Sequence, residues 1–89
     1  MPTIIGYHRV KDKDHWLSSR KRAEFFRPLG VTGIRTFVDP TDATRVAVLM
    51  DVPDLDAFEA AMQTPAAAAA MKHDGVDAAS LVVLVEAKP

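Results

Sequence analysis

Strand-like alternation occupies both ends of this sequence and appears twice in succession in its middle, with a helix-like stretch filling each of the two gaps. That order constrains the fold more than any motif, because each strand needs lateral partners and each helix needs a face to cover. Residues 3–10, TIIGYHRV, place Ile4, Gly6, His8 and Val10 on one side and Thr3, Ile5, Tyr7 and Arg9 on the other. GIRTFVD, residues 33–39, reads as a second strand. PTDAT then supplies the turn residues for a hairpin into TRVAVLMDV, residues 44–52. This third strand is the most apolar and is expected at the centre of the sheet. SLVVLVEA, residues 80–87, is the last strand.

Between them, Asp12 or Asp14 can cap a helix running to about Arg27, where Pro28 and Gly30 stop it. Asp54 caps the next helix, which carries Leu55, Phe58 and Met62 on one face. Thr64 and Pro65 form a fresh cap and first position, since proline lacks the N–H that a helix start leaves unpaired. A kink or restart is therefore predicted before the alanine run at residues 66–70, and Gly75 is the natural stop.

With 89 residues the chain supports one core, so residues 1–89 are read as a single domain. The order βαββαβ makes an α+β, ferredoxin-like fold: a four-stranded antiparallel sheet with two helices on one face. The other face, with Ile5 or Ile4, Leu49, Val83 and Val85, has no intrachain cover. A homodimer formed sheet to sheet is the expected remedy.

Eleven basic and twelve acidic residues leave a formal net charge of −1, so no global field draws the chain to nucleic acid or an anionic membrane. The basic stretch SSRKRAEFFR reads either as a phosphate-contacting cluster or as a solvated helix face. Cysteine is absent, which removes disulfides, thiolate catalysis and cysteine-held metals. No apolar run approaches the ~20 residues of a membrane span, and no secretory leader pattern opens the chain. A cytoplasmic location without membrane contact is expected. No HExxH spacing, glycine-rich phosphate loop or GxSxG elbow occurs, so neither metal nor cofactor is expected.

The chemistry-bearing residues gather at YHRVKDKDHW, residues 7–16. His8 shares its strand face with Gly6, and a strand glycine can mark close approach of a ligand. Its imidazole reads either as a general base at the wall of an apolar pocket or as a half-buried group bonded to a nearby carbonyl or carboxylate. On a continuous first helix, Trp16, Arg20, Ala23 and Arg27 fall along one stripe. The two arginines would meet a small carbonyl or carboxylate ligand, or else snorkel along the helix edge. His73, beside Lys72 in a last helical turn, fits the negative end of a helix dipole. His15 is expected exposed, and Tyr7 in the dimer interior. The candidate pocket is thus His8, Trp16, Arg20, Arg27 and His73, with His8 its candidate catalytic residue.

The segments HRVKDKDHW, FVDPTDATRVAVLMDVPDLDAFEAAM and HDGV together resemble the dimeric α/β-barrel superfamily over nearly the whole chain. Many small bacterial proteins share this layout, among them proteins like the antibiotic-biosynthesis monooxygenases. The resemblance implies sheet-to-sheet dimers and a pocket between sheet and helices. It carries several chemistries: cofactor-independent oxygenation, muconolactone-type isomerisation, polyketide cyclisation and haem-dependent reactions. No catalytic residue set transfers from it, and neither His8 nor His73 lies in a haem-branch signature. Two functions follow as expectations: a cofactor-independent oxygenase, isomerase or cyclase, or a non-catalytic dimeric module that binds a metabolite or partner.

Overall fold

The computed structural model describes residues 2–89. Its elements are β1 (Thr3–Val10), α1 (Lys13–Ser18), α2 (Lys21–Phe26), a single 3₁₀ turn (Arg27–Leu29), β2 (Thr32–Asp39), β3 (Asp42–Asp51), α3 (Leu55–Met62), α4 (Pro65–His73) and β4 (Val76–Val85). The strands form one antiparallel sheet in the order β2-β3-β1-β4. This is the ferredoxin-like arrangement, with β3 inside the sheet as its apolar character requires. No helix among the described residues is long and apolar enough to cross a membrane.

The hairpin between β2 and β3 turns over Pro40 and Thr41. Asp39 Oδ1 accepts from the backbone N–H of Thr41 at 2.8 Å and from its hydroxyl at 2.9 Å. Such an aspartate bonded two residues ahead stiffens a tight turn.

Each helical stretch is broken once. Thr64 Oγ1 accepts from Ala67 N at 3.2 Å and Pro65 opens α4, so the break between α3 and α4 falls where the Thr-Pro pair predicts. The expected single first helix, by contrast, is two. Asp12 caps α1, but Ser19 leaves the helix with φ −69° and ψ 140°. Its hydroxyl is engaged elsewhere, donating to Asp74 Oδ1 and accepting from Lys21 N at 3.2 Å. A serine that satisfies the backbone of the next turn offers an alternative to the continuous helical ladder.

Register decides the two faces. Ile4 pairs with Met50, Gly6 with Val48 and His8 with Val46, and these residues point at the helices. They join Val10, Trp16, Phe26, Val31, Val52 and Phe58 in one buried core. On the open face Leu84, Ile5 and Leu49 form one row and Val82, Tyr7, Ala47 and Phe37 the next. Val83 and Val85 were expected on that open face. They pair with Gly6 and Ile4 and therefore lie on the helix side instead, because strand parity shifts by one with the pairing.

β4 also starts earlier than residue 80. Gly75, at φ 73°, turns the chain so that Val76 and Asp77 already pair with Val10 and Arg9. The step from Tyr7 to Arg9 in β1 then faces the longer step from Val82 to Asp77 in β4, so β4 bulges beside His8. Ser80 Oγ accepts the Arg9 N–H at 2.8 Å across the bulge. Bulges of this kind re-aim side chains and gather next to functional sites.

Phe26 and Phe58 hold the helices to one another, their rings stacked at 5.6 Å. Replacing Phe58 by alanine removes that contact from a site with 4% exposure. The expected cost is about 3–5 kcal/mol of folding stability, read by urea denaturation. Leu17→Ala, at a position 42% exposed, is the comparison, and it should stay within about 0.5 kcal/mol of the parent.

Candidate functional site

Between the sheet and the helices lies a cavity of about 90 Å³. Its wall is mostly apolar, with Ile4, Val48, Met50, Phe26 and Phe58 among the lining residues. Gly6 also lines it, and a Cβ added there would come no nearer than 3.7 Å to another atom. Packing does not demand the glycine, whose missing side chain leaves its volume to the cavity. Met62, Met71, Leu81 and Val83 also line a surface groove along the edge of β4.

Four polar side chains line this wall: His8, Trp16, Arg22 and Asp74. Strand parity brings in His8, which is 8% exposed, and its ring meets Trp16 edge-on with centroids 5.7 Å apart. The Arg22 guanidinium lies 4.5 Å from the centre of the Trp16 ring and donates to Trp16 O at 3.5 Å. Guanidinium over indole is a favourable cation–π pair, more so when desolvated. Asp74, 4% exposed at the end of α4, is held through Oδ1 by the Ser19 hydroxyl and by His73 Nδ1 at 2.9 Å.

Burial pushes the His8 pKa below the ordinary value of 6.5; the bond to Arg9 O opposes this, and the positive charge of Arg22 adds to it. His8 is therefore neutral at neutral pH. With Nδ1–H donating to Arg9 O at 3.4 Å, Nε2 keeps its lone pair. Burial likewise lowers the Arg22 pKa, and the Asp74 carboxylate counters it.

His8 Nε2, Trp16 Nε1–H and Asp74 Oδ2 take no hydrogen-bond partner from the described residues. Yet among those residues no side-chain nitrogen or oxygen is both sealed and unsatisfied. These groups are accordingly not fully sealed, and their three residues share the cavity wall. The cavity wall combines an imidazole, an indole, a carboxylate and a guanidinium with an otherwise apolar lining.

Of the residues singled out by sequence, the structure brings His8 and Trp16 together here. Arg20 and Arg27 are exposed and do not line the cavity. Their stripe assumed an unbroken helix, and the break at Ser19 resets the helical phase, so that Arg22 joins Trp16 in their stead. His73 stands behind Asp74, outside the lining, with its side chain 49% exposed. His15 is exposed as expected and reaches His73 O from Nε2 at 2.8 Å. Sequence reasoning passed over Arg22 and Asp74. The HDGV segment and the serine pair before Arg20 were the available signals, but only the fold joins them.

No family model and no curated protein matches the sequence. Solved structures do match in fold. A candidate antibiotic biosynthesis monooxygenase from Bordetella bronchiseptica is 17% identical with a TM-score of 0.73, covering 99% of this chain and 96% of that one. SnoaB, a cofactor-independent oxygenase from Streptomyces nogalater, is 15% identical with a TM-score of 0.72 over 99% and 92% of the two chains. A further antibiotic biosynthesis monooxygenase is 16% identical, with a TM-score of 0.63 over the full length of both. The chain thus has the ferredoxin-like fold of antibiotic-biosynthesis-monooxygenase-like proteins, in agreement with its sequence resemblance.

The depressed His8 pKa has a thermodynamic consequence. Below 6.5 the unfolded chain binds a proton that the folded His8 resists, so stability falls as pH drops through the window between 6.5 and the lower folded value. NMR titration of the His8 ring should give a midpoint below 6.5. The variant His8→Asn should lose less stability than the parent between about pH 7 and pH 5, at a rate of no more than ~1.4 kcal/mol per pH unit.

Proposed function

We propose that two copies of this chain pack sheet to sheet and that each cavity binds a small molecule carrying a carbonyl or carboxylate, with His8 as general base. The observation that carries this reading is that His8, Trp16, Arg22 and Asp74 line one otherwise apolar cavity, with no partner among the described residues for His8 Nε2, Trp16 Nε1–H or Asp74 Oδ2. Apolar pockets with a few converging polar groups are the usual form of small-molecule sites. At about 90 Å³ the cavity suits a compact ligand or one end of a larger one reaching in from the groove beside β4.

The chemistry begins with one proton. Nε2 of neutral His8 takes a proton from a carbon or hydroxyl next to the substrate carbonyl, and the bonding pair stays on the substrate as an enolate or phenolate. Arg22, fixed over Trp16, faces that developing negative charge. Return of the proton to a different carbon is isomerisation. Attack of the carbanion on an internal electrophile is cyclisation, and reaction with dioxygen as the oxidant is oxygenation. SnoaB, described as a cofactor-independent oxygenase, has this fold and adds weight to the last route. No cofactor or metal enters the step.

The dimer reading rests on the open face. Tyr7, Phe37, Val82 and Leu84 are 42%, 40%, 37% and 51% exposed there, and no element among the described residues covers them. Ion pairs Arg9–Asp42 and Arg45–Asp39 lie toward the hairpin end, giving the apolar centre a charged rim. Light scattering after size exclusion should give twice the 9.7 kDa chain mass, and Tyr7→Asp should return the single-chain value. A monomer at micromolar concentration refutes the interface.

For the site, turnover or binding is measured against a panel of small enolisable carbonyl compounds and aromatic carboxylates. His8→Ala should lower turnover by about 10²–10⁴-fold with a smaller effect on binding. Arg22→Gln should weaken carboxylate binding by roughly tenfold, the equivalent of ~1.4 kcal/mol. Unchanged turnover in His8→Ala removes the catalytic role. Binding without turnover in the parent chain, equally retained in His8→Ala, leaves a metabolite-binding dimer.

A further inference from the structure

Three metal-ligating side chains meet where the start of α1 lies against the end of α4. His15 from the first turn of α1, His73 from the last turn of α4 and Asp74 each offer one ligand atom, all within 4.8 Å of one another. The two imidazole rings lie 5.5 Å apart and tilted by 41°. These histidines are 58 positions apart in sequence, so no local spacing announces the cluster. We propose that His15, His73 and Asp74 form a binding site for a divalent transition-metal ion, with Zn²⁺ the representative of its class.

The donor chemistry selects the ion. Two imidazole nitrogens and one carboxylate oxygen suit zinc and its first-row neighbours, whereas magnesium and calcium take oxygen sets. Bonds of about 2.0–2.2 Å place tetrahedral ligands roughly 3.3–3.6 Å apart. Rotation of the exposed His15 and His73 rings closes the remaining gap while Asp74 stays fixed. The Ser19 hydroxyl on Asp74 Oδ1 orients that carboxylate as outer-shell hydrogen bonds do in metal sites. Exposure of both histidines leaves room for water in the fourth position.

Two opposing terms set the affinity. Binding replaces the His15–His73 O and His73–Asp74 hydrogen bonds, and the positive charge of Arg22 acts on the same carboxylate. The affinity accordingly falls short of that of closed four-ligand zinc centres. The site shares Asp74 with the cavity wall, whereas His8 contributes nothing to it.

Isothermal titration of ZnCl₂ into the tag-free full chain tests the proposal. Expected is one ion per chain, with affinity reduced at least about tenfold by either His15→Ala or His73→Ala and unaltered by His8→Ala. Lowering the pH from about 7.5 to about 5.5 should weaken binding, since both imidazoles must be unprotonated to ligate. NMR of the parent protein gives a second readout that needs no variant: Zn²⁺ should shift the ring signals of His15 and His73 and leave those of His8. Absence of saturable binding, retention of binding in both single variants, or loss of it in His8→Ala overturns the site.

Discussion

The two-residue alternation of β1 is the constraint on which the rest of the molecule depends. β1 lies between β3 and β4, so its parity is locked from both sides by hydrogen-bonded partners. A slip of one residue would exchange Ile4, Gly6, His8 and Val10 for Ile5, Tyr7 and Arg9 against the helices. The inward set supplies core, cavity space and a buried imidazole in eight residues. The outward set supplies an aromatic ring in the middle of an apolar face. A cavity and an uncovered apolar face are thus opposite sides of the same strand.

A second tie joins the first helical segment to the end of the last. Ser19 leaves the helix and bonds Asp74, and one interaction then has three effects. It resets the helical phase so that Arg22 reaches Trp16, it anchors a buried carboxylate at the cavity wall, and it draws α1 close enough to α4 for His15 to bond His73 O. A continuous helix would have carried Arg20 and Arg27 on that stripe and left Asp74 without its hydroxyl donor.

The polar end of the cavity balances charge without neutralising itself. Arg22 and Asp74 offset one another, while Arg22 and burial together keep His8 unprotonated. In the proposed reaction the neutral imidazole is the base and the neighbouring guanidinium the group that stabilises the anion. Either charge alone in so apolar a setting would be costly; the cation–π contact and the Ser19 bond spread that cost over several neighbours.

Local pattern was enough for the architecture. Alternation, turn residues and the Thr64–Pro65 break specify four strands, the central place of β3 and the interruption before the alanine run, because each depends on neighbours a few positions away. The same alternation put His8 on the inner face. Tertiary structure alone decided which charged groups join His8 and Trp16. Arg22 and Asp74 are brought to it by a serine whose hydroxyl prefers a partner 55 positions distant over a place in a helix. His15 and His73 meet for the same reason. Val83 and Val85 took the helix side because register is a property of two strands together, and no single strand's sequence contains it.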